Sequence, residues 1–174
     1  MVEIIGDLLK ILLPAAAVMY AMYLTVRSFL NKDFEKKLID IKVRNNEIVL
    51  PIRLQAYERM ALFLERISPH NLILRVNDPA YNVAQLHQKM LMEIREEYNH
   101  NLSQQVYMSD QAWTMVKNAM DEVVAIINAS SSSLPPELRG IELARAIFEN
   151  LVQKNEDPVS KALKFIKKEI QQVF

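Results

Sequence analysis

The chain has no cysteine and only two glycines, three histidines and one tryptophan in 174 residues. Without cysteine there can be no disulfide, thiolate nucleophile or zinc–thiolate site. Gly6 and Gly140 are too few for the glycine-rich loops that cradle phosphates. They are also too few for a sheet with tight hairpins, whose turns need a backbone at positive φ. Net charge is zero. Seven of the 21 basic and five of the 21 acidic residues lie in residues 1–44, leaving 14 basic against 16 acidic over the other 130. A nucleic-acid binder needs a basic stripe to displace counterions, so no nucleic-acid partner is expected.

Hydrophobic residues make up 51% of the chain and charged residues 24%, a composition that folds. Helix formers (Leu, Ala, Glu, Lys, Gln, Met) dominate, so the expected fold class is all-α. The expected arrangement is an N-terminal transmembrane helix followed by a cytoplasmic helical bundle of about five helices. Three segments are expected: residues 1–29 as the anchor, 30–47 as a juxtamembrane helix or stalk, and 48–174 as the cytoplasmic domain.

The anchor rests on KILLPAAAVMYAMYLTVR (10–27), in which sixteen uncharged residues lie between Lys10 and Arg27. From Ile4 to Val26 only Asp7 and Lys10 are charged. A helix of that length reaches about 35 Å, enough for a hydrocarbon core of about 30 Å. Tyr20 and Tyr23 suit an interface, and spanning helices tolerate a proline such as Pro14. A cleaved signal peptide fits poorly, because the first nine residues hold Glu3 and Asp7 but no Lys or Arg. Lys10, Arg27, Lys32, Lys36 and Lys37 flank the span. Most lie after it, which places the short N-terminus outside and the rest of the chain in the cytoplasm. The triplets Asn101-Leu102-Ser103 and Asn128-Ala129-Ser130 are then chance matches to a glycosylation pattern.

Past the span, Phe34, Leu38 and Ile41 recur at helical spacing between charges. A break is expected at Asn45–Glu47, with Pro51 opening a new helix to about Ile67. Residues 68–77 read as a buried extended connector. Asp78-Pro79 reads as the start of a helix running to about residue 105. Ser109 reads as the N-cap of a helix over 110–128, and Ser130–Ser133 as a flexible loop. Pro135-Pro136 and Asp157-Pro158 open the last two helices.

No catalytic constellation is evident, so the chain is read as no enzyme and no cofactor is expected. The sharpest chemical pattern is Glu97-Tyr98-Asn99-His100. A Glu-x-x-His places a carboxylate and an imidazole on one helix face, as in di-iron bundles. Those sites need two such motifs and two further glutamates, and one copy is present, so Glu97 and His100 are weak metal candidates. Tyr107, Met108 and Trp113 are the partner-binding candidates, although a lone tryptophan four residues into an amphipathic helix more often packs in a core. The expected role is a membrane-anchored protein-interaction or scaffold module that binds another protein or itself. A metal-binding helical-bundle enzyme and a lipid-associated structural protein are the alternatives.

LPIRLQAYERMALFLERI (50–67) and YMSDQAWTMVKNAMDEVV (107–124), behind such an anchor, resemble an uncharacterised family of small single-span membrane proteins from the Bacteroidota. The resemblance covers most of the chain. That family has no assigned activity, so it implies a bacterial inner-membrane location and no catalytic residues.

Overall fold

A computed structural model describes residues 2–154 and 157–173, and the side chains of residues 12–153 and 157–172. The described residues form six α-helices: α1 (Val2–Ile67), α2 (Pro69–Val76), α3 (Val83–Asn101), α4 (Asp110–Ser132), α5 (Gly140–Lys154) and α6 (Pro158–Val173). A 3₁₀ segment, Leu102–Tyr107, joins α3 to α4. The all-α reading holds. The chain divides into two compact units, Met1–Val49 and Leu50–Phe174.

In the first unit the side chains from Leu12 to Val49 are exposed apart from half-buried Asp33. They include Leu13, Val18, Met19, Tyr20 and Phe29. Helicity there comes from backbone bonds and local pairs, such as Lys37 with Asp33 at 3.0 Å one turn apart. The break expected at Asn45–Glu47 does not occur, and the helix continues to Ile67. Asparagine costs a helix only about 0.7 kcal/mol or less per residue, and no glycine stands there. Pro51 lacks an N–H and so leaves the Glu47 carbonyl without its usual helical donor, but it does not end the helix.

The second unit is built around one core. Tyr57, Met60, Phe63, Leu64 and Ile67 of α1 recur at three- and four-residue steps and are almost wholly buried. Leu72 (α2), Leu86 and Met90 (α3), Val123 and Ile127 (α4), Leu143 and Ile147 (α5), and Val159 and Ile166 (α6) complete it.

Four boundaries differ from the sequence reading, each for a physical reason. Residues 69–76 are helical, not extended. Leu72, Ile73 and Val76 are buried at helical spacing, and Pro69 takes the first-turn position where a missing N–H costs nothing. Asp78-Pro79 makes a turn instead of a helix start. The Asp78 carboxylate accepts from the Ala80 N–H at 2.9 Å, and the Asp78 carbonyl accepts from the Tyr81 N–H at 3.0 Å. Helix α3 starts at Val83 because Asn82 and Gln85 form a reciprocal capping box. The Gln85 N–H donates to Asn82 Oδ1 at 2.8 Å, and the Asn82 N–H donates to Gln85 Oε1 at 3.0 Å.

Ser130–Ser132 stay helical. Ser130 is fully buried and its hydroxyl accepts from Asn150 Nδ2 at 2.7 Å. Helix α5 starts at Gly140, four residues after Pro136, because residues 136–140 pair with the start of α3. The Val83 N–H donates to the Leu138 carbonyl at 2.8 Å, and the Gly140 N–H donates to the Tyr81 carbonyl at 2.8 Å. Asn82 and Arg139 form an isolated antiparallel bridge. A Cβ at Gly140 would lie 3.1 Å from the Tyr81 carbonyl oxygen and 3.3 Å from Leu86 Cδ2, so glycine answers a close approach here.

Candidate functional site

The partner-binding candidates gather where α1, the 3₁₀ segment, α4 and α6 meet. Ser109 is the N-cap expected of it, its hydroxyl accepting from the Ala112 N–H at 3.0 Å. The cap turns the chain so that Met108 is buried while Val106 and Tyr107 stay exposed, Val106 at 76%. The Arg53 guanidinium donates to the Tyr107 carbonyl at 3.3 Å. Trp113 is half-buried against the core. It stacks on Tyr98 with ring centroids 5.8 Å apart, and Tyr98 in turn meets Phe63 at 6.2 Å. Of the three candidates, the structure leaves Tyr107 open, half-covers Trp113 and buries Met108.

Tyr57 organises this junction. Its hydroxyl donates to Glu169 Oε1 at 2.6 Å and accepts from the Ser109 N–H at 3.4 Å. One side chain thus ties α1 to α6 and to the cap of α4. Burial pushes the Tyr57 phenol above its ordinary pKa, and its hydrogen bond to the Glu169 carboxylate adds to that. The second Glu169 oxygen is buried without a hydrogen-bond partner. The sequence signal was a carboxylate between the apolar Ile166 and Ile170 on one helix face.

Glu97 and His100 lie on α3 in a charged cluster. Glu97 meets Arg66 at 2.6 Å and Arg75 at 3.6 Å. Arg75 also holds Glu93 at 2.8 Å, and Lys89 holds the other Glu93 oxygen at 2.8 Å. The Lys89 hydrogen bond, then its charge and those of Arg75 and Arg66, hold the Glu93 carboxyl below the ordinary range. The same bond raises the Lys89 ammonium. His100 is exposed. Two guanidinium groups beside Glu97 compete with any cation for its lone pairs. Among the described residues, no group of three or more His, Asp or Glu side chains is placed to hold a metal ion.

His70 lines a cleft of about 680 Å³. His70 meets the Phe148 ring edge-on at 6.1 Å, beside Glu65, Leu151, Asp157 and Ser160. His87 Nε2 lies 2.8 Å from Asn128 Oδ1.

Of the membrane-flanking candidates, Arg27, Lys32, Lys36 and Lys37 are exposed on α1, while the Lys10 side chain lies outside those described. One described helix, Leu12–Ile67, is long and apolar enough to cross a membrane, with a mean hydropathy of 1.3 over its most apolar window. None of that window is buried.

A model for a family of unknown function, DUF7935, matches residues 3–173. The chain belongs to the DUF7935 family. The match takes in α1 and the whole helical core, so the DUF7935 unit is the apolar N-terminal helix together with the bundle. No curated protein and no solved structure matches this DUF7935 chain.

Proposed function

We propose that this DUF7935 protein is a single-span protein of a bacterial inner membrane, of the kind found in the Bacteroidota, whose helical unit Leu50–Phe174 binds another protein or a second copy on the cytoplasmic side. One observation carries the reading. The apolar stretch of α1 is exposed among the described residues, and side chains such as Leu13, Met19, Tyr20, Met22 and Phe29 need an apolar surrounding. Arg27, Lys32, Lys36, Lys37, Lys42 and Arg44 follow the stretch, which supports a cytoplasmic location for what comes after it.

The chemistry of the second unit fits binding better than catalysis. Glu93 and Glu97 are taken up by Lys89, Arg66 and Arg75, and among the described residues no hydrogen bond joins a histidine to a serine or threonine hydroxyl. Exposed Val106 and Tyr107, next to the half-covered Trp113, offer the aromatic and apolar contact that partner surfaces use.

Alkaline carbonate extraction of native membranes, combined with photo-crosslinking from position 107, tests the reading. The chain should stay in the pellet and give a discrete crosslinked product. Release of the intact chain into the supernatant overturns the anchor, and a clean uncrosslinked chain overturns the interaction role. Stoichiometric iron or manganese that is lost on His100→Ala would favour the metal-enzyme alternative. Binding of the full chain to anionic vesicles through its lysines would favour the lipid-associated one.

A further inference from the structure

We propose that residues 34–48 of α1 form a parallel coiled-coil seam with the same segment of a second copy of this chain. The parallel sense rests on the anchored reading above. The seam itself becomes visible only because α1 continues through Asn45–Glu47. In an unbroken helix, Phe34, Leu38, Ile41, Asn45 and Ile48 follow at steps of four, three, four and three residues. This is the spacing of alternating d and a positions in a heptad, the pattern that keeps one stripe facing a partner helix.

Charge follows the same period. Nine charged residues lie between 31 and 49: Lys32, Asp33, Glu35, Lys36, Lys37, Asp40, Lys42, Arg44 and Glu47. None of them falls on the five seam positions. Glu35, Lys37, Lys42 and Arg44 occupy the flanking e and g positions, where coiled coils carry charge. The seam is exposed among the described residues: Phe34 is 67% exposed, Leu38 59%, Ile41 56% and Ile48 66%.

Asn45 argues for a second copy as the occupant. It is the one polar residue in the stripe. When two identical helices run parallel in register, the two Asn45 amides meet and can pair, whereas any slip sets each against an apolar side chain. A single asparagine at an a position is a known device for fixing register and strand number at some cost in stability.

Two heptads would bury on the order of 1,000 Å² in total, the low end for a specific interface. Tethering both copies in one membrane supplies the missing concentration. One contact works against the pair. In parallel register Lys37 at g faces Lys42 at e of the other copy. Asp33 holds Lys37 at 3.0 Å within its own helix and moderates that repulsion.

The absence of native cysteine makes the test direct. Single-cysteine variants of the full chain would be oxidised mildly in native membranes. The seam set is Leu38→Cys, Ile41→Cys, Asn45→Cys and Ile48→Cys, and the off-seam set is Ile39→Cys, Asp40→Cys and Val43→Cys. The expected result is disulfide-linked dimer several-fold more abundant at all four seam positions, since only there do the Cα atoms come within about 7 Å. Linkage of each residue to its own copy at both Leu38 and Ile48 also reports the parallel sense, because an antiparallel pair would allow it near one point only. A flat profile, an off-seam maximum, or no dimer at any position overturns the proposal. Lys42→Glu should raise the dimer fraction several-fold by turning the Lys37 contact attractive, and a fall would instead indicate that this face rests on anionic headgroups. Carbonate extraction of the same membranes separates the two readings. A pelleted chain with a flat profile sinks the seam alone, whereas a released chain with the seam pattern sinks the anchor alone.

Discussion

Replacing Tyr57 by phenylalanine keeps the ring in the core and removes only the hydroxyl. Among the described residues that hydroxyl supplies the one donor on the Glu169 carboxylate, at 2.6 Å, and it accepts from the Ser109 N–H at 3.4 Å. The second contact is long and contributes little. A hydrogen bond to a charged acceptor contributes about 1.5–3 kcal/mol, and a buried polar atom left unpaired costs a similar amount. Since Glu169 Oε2 already has no partner, Tyr57→Phe leaves the whole carboxylate without a donor. The expected loss is about 2 kcal/mol, or about 4–8 °C in Tm for a chain of this size. Trp113 is the only tryptophan and stacks on Tyr98 beside this junction, so its fluorescence follows unfolding of the full chain in detergent micelles. The control is a cycle with Glu169→Gln. The two single losses should overlap, with a coupling of at least about 1 kcal/mol. Additive effects within about 0.3 kcal/mol would refute the reasoning. High pH gives an independent sign. The Tyr57 phenol titrates higher in the folded chain than in the unfolded one, so its contribution is present below the ordinary tyrosine pKa and lost as pH rises through the folded value. Tyr57→Phe should lack that alkaline loss.

Asn82→Ala should cost about 1 kcal/mol, seen as a lower Tm, because it removes the side-chain oxygen that accepts from the Gln85 N–H at the start of α3. Gly140→Val should cost about 1–3 kcal/mol by overpacking against the Tyr81 carbonyl and Leu86, and a variant as stable as the parent would remove the close-approach argument. Glu93 is held below the ordinary carboxylate range by Lys89 and Arg75, so its stabilising contribution is present at neutral pH and lost as pH falls through the folded value. Denaturant titrations of Glu93→Gln should therefore show a flatter acid limb than the parent.

Helix content was legible because it is a property of composition. Two glycines and an excess of Leu, Ala, Glu, Lys and Met leave little else to build. Local chemistry marked the Ser109 cap, since a serine before an amphipathic run needs no distant partner. The misplaced starts of α3 and α5 share one cause, which is that distant residues decide them. Asp78-Pro79 and Asn82-x-x-Gln85 are both plausible helix starts, and the choice falls to the second once Pro136–Gly140 supplies backbone partners to residues 81–84. The short apolar run at 72–76 had no period of its own to separate helix from strand. At the candidate site, Tyr107, Met108 and Trp113 stand out in the sequence by their individuality. The Tyr57–Glu169 bond spans 112 residues, and the local pattern around Glu169 marks a carboxylate on an apolar face without naming its partner. The interruption at Asn45–Glu47 was inferred from weak helix formers, whose penalty is too small to interrupt a helix already formed on both sides.

The clip between the start of α3 and the start of α5 sets an order of events during synthesis. Residues 81–84 leave the ribosome well before residues 136–140, which hold their backbone groups. At ordinary translation speeds the interval is about 3–11 s. For that time the N-terminal half of the core lacks its closing strut, and Leu86 lacks the cover of Gly140.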